Sequence, residues 1–279
     1  MTRAMLITHT HPETSSEAVA KTAEAAKAAS VELICTPDEL EKHGDAAADI
    51  ERADDGERPD VCIVLGGDGS ILYALRRFAG TGVPVFGINF GTVGFLAAVE
   101  REELESGLQR AFTGDFEAMD LPALRVDLPV EKPVALNDVS FVRRPHGRVA
   151  ELSYAIGDEE VGSVRCDGLV AATPAGSTGY NLANAGPILA WGVKGYVVSF
   201  IAPHTLAARA LVVAPDDALR VSNAAGREPV EISLDGEASG ELAPGDELVI
   251  SFDESVSCLA QLPGRNFYRR IREKFGMLA

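Results

Sequence analysis

A single carboxylate, Asp68, stands among three glycines in "VCIVLGGDGSILYALRRF", residues 61–78. The apolar run before it reads as a strand and the residues after it as a helix, so "GGDG" falls where a strand hands over to a helix. Turns of that kind accept anions, because glycines let backbone N–H groups approach and the helix start adds partial positive charge. That accounts for Gly66, Gly67 and Gly69 but not for an acid. The stretch is no P-loop, since no G-K-S/T follows, and it lacks the GxGxxG spacing of a dinucleotide fingerprint. Three uses of Asp68 stay open. It could take a proton from a hydroxyl attacking a terminal phosphoryl group, help hold a metal bridging phosphates, or cap the helix beginning near Ser70.

Two further segments carry the same chemistry. "GINFGTVGFL" (87–96) is a second glycine-rich loop after the next apolar run. At the end of a neighbouring parallel strand it would line the same sheet edge, where such folds bind ligands. "DGLVAATPAGSTGYNLANAGPIL" (167–189) gathers Gly, Ser, Thr and Asn with Tyr180 between two β-like pieces. Small hydroxyl residues and glycines permit close backbone contact, and the tyrosine offers a flat face or a hydroxyl. Its "GST" is not a nucleophile elbow, because the G-x-S-x-G spacing fails.

The elements that must position these loops fall into two textures. In the first, strands "AMLITHT", "VELICT", "PDVCIVLGG" and "VPVFGINF" alternate with helices over 12–30, 69–80 and 101–117. That alternation predicts a parallel sheet covered on both faces, a Rossmann-like α/β domain over residues 1–118. From 119 to 263 short β-rich pieces follow one another at close turn spacing, which predicts an antiparallel β-sandwich holding the ligand loop. The amphipathic tail, 264–279, needs a core to lie on and is expected to return as a helix to the first domain.

Composition narrows the partners. The chain has 279 residues, 42 acidic against 25 basic, and a formal net charge of −17. Such a surface repels nucleic acid and anionic lipid. Only six of the basic residues are lysine, and the acids are dispersed apart from a dense patch at 44–60. This pattern fits a protein adapted to molar salt, where screening shortens repulsion. Cys35, Cys62, Cys166 and Cys258 lie far apart, as expected of buried free thiols in a reducing cytosol. The five histidines show no zinc-ligand pairing with them. No apolar run is long enough for a membrane span, and the N-terminus lacks a signal-peptide pattern.

Taken in order, "LGGDGSILYALR", "INFGTVGFL", "LNDVSF", "DGLVAATPAGSTGYNLANAGPIL", "APHTLAARALVV" and "SLDGE" resemble the NAD kinase family from about residue 61 to 237. GGDG alone is shared with diacylglycerol-type lipid kinases and 6-phosphofructokinases; the long TPxGSTxY-type segment is far more specific. The resemblance implies transfer of a phosphoryl group from ATP or polyphosphate to the adenosine ribose 2′-OH of NAD, with a divalent metal, Mg²⁺. It implies Asp68 as the general base and Gly66, Gly67, Gly69 and Ser70 as the phosphate turn. Asn89, Phe95, Asn137, Asp138, Asp167, Thr173, Ser177, Thr178, Tyr180 and Asp235 match its NAD-binding positions. It implies a cytoplasmic homodimer or homotetramer with no metal ligands assignable.

Four positions depart from the family pattern. Asp138 stands for the usual Glu, Gly179 for a common alanine, Glu237 for a common glutamine, and Thr92 for a residue often basic or histidine. These bear on rate and nucleotide preference and leave the base in place. A lipid kinase sharing GGDG is the alternative enzyme, against which the acidic surface argues. A dinucleotide sensor without turnover is the alternative binding module.

Overall fold

The computed structural model describes residues 2–54, 56–91, 94–131, 133–223, 227–264 and 267–276. The chain divides into two compact units, Met1–Asp120 with Ser257–Ala279, and Leu121–Val256.

In the first unit, β1 (Arg3–Thr8), β2 (Glu32–Cys35), β3 (Val61–Gly66) and β4 (Pro84–Asn89) form a parallel sheet in the order β4-β3-β1-β2. Every residue of β3 is buried, as suits a strand covered on both faces. Helices α1 (Ser16–Ala28), α2 (Pro37–His43), α3 (Asp68–Arg77) and α4 (Leu104–Thr113) supply the cover. The helix α3 buries Ile71, Ala74 and Leu75, an i, i+3, i+4 stripe facing the sheet. Gly87 of β4 lets it sit close, since a Cβ there would overlap the Ile71 side chain. Register aligns Thr8 with Leu65 and Gly66 with Asn89, so β1, β3 and β4 end together on one edge. Both glycine-rich loops leave from that edge.

The second unit begins within β5 (Glu117–Val126). Six antiparallel strands run in the order β11 (Leu211–Val213), β10 (Tyr196–Ile201), β9 (Gly168–Ala172), β6 (Asp138–Arg143), β13 (Val230–Leu234) and β14 (Glu237–Leu242). A second antiparallel set pairs β8 (Glu159–Cys166), β7 (Ala150–Ile156), β12 (Leu219–Ser222) and the start of β15 (Glu247–Gln261). Phe141, Leu169, Tyr196 and Ile232 from the first set share one core with Leu152, Val164, Val221 and Ile250 from the second. Two sheets closed over one apolar layer make a β-sandwich.

The far end of β15 lies in the first unit, where Cys258 and Leu259 pair in parallel with Pro84 and Val85 of β4. Helix α5 (Phe267–Phe275) follows and buries Phe267, Arg270 and Ile271 in that unit. The parallel α/β unit, the antiparallel sandwich and the returning helix are those expected from the sequence. All four cysteines are free and buried. Burial pushes the Cys35 thiol up to about 12 and Cys166 to about 11, so neither is a ready thiolate at neutral pH. Among the described residues no helix is long and apolar enough to cross a membrane.

Candidate active site

Asp68 is the first residue of α3, and the cap position is taken by Gly67 in an extended conformation without a side-chain cap bond. The carboxylate does not turn back to its own helix. Phe95 N donates to Oδ2 at 2.8 Å and Leu96 N to Oδ1 at 3.0 Å. Helix capping is therefore not what Asp68 does. The second glycine loop holds it by both oxygens, and each oxygen keeps a lone pair for another donor.

The glycines permit this. A Cβ at Gly94 would lie inside the Asp68 carboxylate, and one at Gly66 would lie 2.6 Å from Ser70 Oγ. Gly67 and Gly69 have open space at their Cβ positions, and Gly69 is exposed. Asn89 ends β4 buried, donating to Glu100 Oε2 at 2.7 Å and accepting from Gly91 N at 3.0 Å. It folds the loop back rather than pointing outward. The Phe95 ring is 4% exposed and packs against Phe275 and under Lys274 Nζ of α5. Its N–H, not its ring, meets Asp68. Thr92 lies outside the described residues.

In the second unit, Asp235 organises the segment 136–138. It sits in a left-handed turn (φ 52°) before Gly236. Its carboxylate accepts from Leu136 N at 3.0 Å, Asn137 N at 2.6 Å and Asp138 N at 3.2 Å. Asp138 is 7% exposed, and burial together with the charge of Asp235 pushes its carboxyl up to about 7. Thr173 and Ser177 are fully buried. Thr173 Oγ1 donates to Leu136 O at 2.6 Å, and Ser177 Oγ donates to Pro174 O at 2.7 Å and accepts from Leu189 N at 2.9 Å. Their hydroxyls are spent on loop shape. Gly176 lets that loop lie against Asn137, whose carbonyl would overlap a Cβ. Thr178 donates to Ala175 O at 3.3 Å and is half-buried. Tyr180 stays partly open, and burial with the charges of Asp138 and Asp167 holds its hydroxyl above the ordinary range. Asn137 and Tyr180 are thus the part-exposed polar residues beside the buried carboxyl of Asp138. Glu237 is exposed at the start of β14.

One feature of the second unit was not read from the sequence. A cavity of about 650 Å³ is lined by Arg143, Arg144, Arg148, Arg165 and Arg227 together with Glu151 and Glu228. Arg143 is forked onto Asp167 at 2.6 and 3.3 Å, which holds the Asp167 carboxyl below its ordinary range. Arg144 pairs with Glu241. Among the described residues, Arg148, Arg165 and Arg227 have no carboxylate partner for their guanidinium groups. Arg148, Arg165 and Arg227 leave a local excess of positive charge beside Glu151 and Glu228 on a chain of charge −17. The signal in the sequence was "RRPHGR", three arginines within six residues of an acidic chain.

A carboxylate fixed among glycines at a parallel sheet edge, on a chain with a separate β-sandwich, is an arrangement that suits a phosphotransferase. An ATP-NAD kinase N-terminal domain matches residues 5–116 and an ATP-NAD kinase C-terminal domain matches 136–256. An NAD kinase of Symbiobacterium thermophilum is 39% identical over 220 residues, covering 77% of this chain and 78% of its own. One from Carboxydothermus hydrogenoformans is 35% identical over 223 residues, 78% and 80% of the two chains. The chain belongs to the NAD kinase family. Its fold matches yeast NADH kinase solved with NADH at a TM-score of 0.88, 22% identity, over 100% of this chain and 89% of that one. It matches an Archaeoglobus fulgidus NAD kinase solved with ATP at 0.73, 24% identity, over 98% and 97%. Matches to both domain models do not favour a lipid kinase.

Proposed function

We propose that the protein transfers the terminal phosphoryl group of ATP to the 2′-hydroxyl of the adenosine ribose of NAD, giving NADP and ADP. Asp68 takes the hydroxyl proton as the new O–P bond forms and the bond to the ADP oxygen breaks. The observation that carries this reading is the grip of Phe95 and Leu96 N–H on both Asp68 oxygens. A base held in that way is oriented before the substrate arrives, and such placement is most of what phosphoryl transfer asks of a protein. The backbone of Gly66, Gly67 and Gly69 and the Ser70 hydroxyl receive phosphate. Asn137, Asp138, Thr178 and Tyr180 receive the dinucleotide, while Asn89, Phe95, Thr173, Ser177 and Asp235 shape the two loops. Asp167 orients Arg143, and the arginines near it offer positive charge to the dinucleotide phosphates. The ATP bound to the Archaeoglobus relative supports ATP as donor, with polyphosphate as the second candidate.

A divalent cation, Mg²⁺, would be carried by the triphosphate. Among the described residues no three His, Cys, Asp or Glu side chains converge, and Mg²⁺ is ordinarily held by one or two carboxylates plus phosphates. When bound, the ion would neutralise phosphate charge, and Asp68 would stay free to act as the base. The protein is read as a cytoplasmic, salt-adapted homo-oligomer. NADP formation from NAD, Mg²⁺ and either donor tests the reaction. Asp68→Asn should lower turnover roughly 100- to 10,000-fold; NAD binding without NADP from either donor would leave a binding protein.

A further inference from the structure

The loop that grips Asp68 is itself held from behind. Its N–H groups face the carboxylate, and its carbonyls face side chains near the C-terminus. Arg270 of α5 donates through Nη1 to Phe95 O at 2.5 Å and through Nη2 to Ala97 O at 2.7 Å. Gln261, at the end of β15, donates through Nε2 to Leu96 O at 3.0 Å. Arg270 Nη2 also donates to Gln261 Oε1. Three successive carbonyls, 95 to 97, are thereby fixed by two side chains that are 7% and 6% exposed.

One peptide unit joins the two sides. The carbonyl of Phe95 and the N–H of Leu96 belong to the same amide. A guanidinium pulling on the oxygen polarises that amide and strengthens the N–H that it presents to Asp68 Oδ1. The bond to a charged donor is also among the stronger kinds. Packing alone does not call for an arginine at this position. Arg270 lies with Phe267 and Ile271 on the buried stripe of α5, where an apolar side chain would complete the stripe without desolvating a charge.

We propose that Arg270 and Gln261 are positioning residues for Asp68, acting through the backbone of residues 95–97 and touching neither nucleotide. The inference rests on the reading of Asp68 as the base. It makes the C-terminal helix a part of the catalytic apparatus, although it begins well over a hundred residues after the base.

The test compares Arg270→Met, Arg270→Lys and Gln261→Met, each alone and in the Asp68→Asn background. With Arg270→Met, kcat should fall about a hundredfold, the cost of a misplaced group, while KM for NAD and ATP changes by less than about threefold. Arg270→Lys keeps the charge but loses the fork, and should recover part of the loss. In the Asp68→Asn background Arg270→Met should lower the residual rate no further. Amide exchange at Phe95 and Leu96 should speed up in Arg270→Met while β1 and β3 stay protected. Wild-type kcat in Arg270→Met, or an equal loss in both backgrounds, overturns the proposal. If Asp68→Asn retains full turnover, the base reading fails instead. Amide exchange then still decides whether the clamp exists, because unchanged protection at Leu96 removes it. Gln261→Met, a milder change on the same carbonyls, serves if Arg270→Met does not fold.

Discussion

The backbone N–H of Asp138 donates to the carboxylate of Asp235 at 3.2 Å, and that fixed negative charge lies beside the buried carboxyl of Asp138 itself. Burial first and Asp235 second push Asp138 up to about 7 from an ordinary value of 3.8. A carboxyl raised on folding stabilises the fold below its unfolded value, and that contribution is lost as pH rises through the folded one. Between about pH 4 and 7 the native chain holds a proton that the unfolded chain has released. The ligand-free protein should therefore lose up to about 4 kcal/mol across that window from this site. Asp138→Asn should raise Tm relative to wild type at pH 8 and leave it nearly unchanged at pH 4. An equal shift at both pH values would rule out the titration.

Gly94 makes a second, independent prediction. Its backbone is not left-handed, so alanine is conformationally acceptable, yet a Cβ there overlaps the Asp68 carboxylate. Gly94→Ala should displace the carboxylate from Phe95 and Leu96 N–H and cut kcat by about a hundredfold. Thermal stability should fall by only a few degrees, because the clash involves one half-exposed side chain. Turnover near wild type would mean that the Asp68 position is not critical to within an ångström.

The buried polar cluster under the β1 edge predicts a stability effect away from the base. Thr8 Oγ1 donates to Glu39 Oε2 at 2.6 Å and lies 2.7 Å from His43 Nε2, while Lys42 Nζ lies 2.7 Å from Glu39 Oε1. Thr8, Glu39 and His43 are all buried. Thr8→Val keeps the shape and removes the hydroxyl that Glu39, His43 and, at 3.2 Å, Lys42 Nζ share. Leaving buried groups unsatisfied costs about 2–4 kcal/mol, which urea unfolding would resolve. A loss below about 0.5 kcal/mol would indicate that water replaces the hydroxyl.

Much of this architecture was legible because its signals are local. The run Val61–Leu65 is apolar throughout, since both faces of β3 are covered, and the glycines after it mark the handover to α3. The helix starts at Asp68 rather than Gly69 because Gly67 takes the cap. Helix α2 escaped notice for a physical reason: in "PDELEKH" the buried positions are Glu39 and His43, so no apolar stripe exists to read. Strands β8 and β14 escaped for another. "EEVGSVRC" buries only Val164 and Cys166, and "EASGEL" only Leu242, so neighbouring strands rather than their own side chains hold them. At the site, the residue pattern singled out Asp68 and Tyr180, and the family resemblance added Asn137 and Asp138 as expectations. Neither could separate these from Thr173 and Ser177, whose hydroxyls turn inward. The arginine cavity and the Arg270 clamp join segments distant in sequence, and only strand pairing and the return of α5 assemble them.

The surface charge predicts how the whole molecule responds to salt. With 42 acids and 25 bases, 42 − 25 = 17 acids have no cation to balance them anywhere on the chain. Self-repulsion of that size weakens the compact state. Raising ionic strength from 0.1 to 1 M shortens the screening length from about 10 to about 3 Å, which removes most of the repulsion between exposed neighbours. The protein should gain Tm steadily as KCl is raised toward molar concentration. NaCl should act alike, since screening depends on charge and not on ion identity, and sulfate is best avoided because it strengthens apolar burial by a separate route. Turnover with ATP should be measured over the same range, because added salt also screens the attraction of a protein for a charged triphosphate. A Tm independent of KCl, with full solubility at low salt, would show that the dispersed acids are an ordinary acidic surface and that salt adaptation is the wrong reading of the composition.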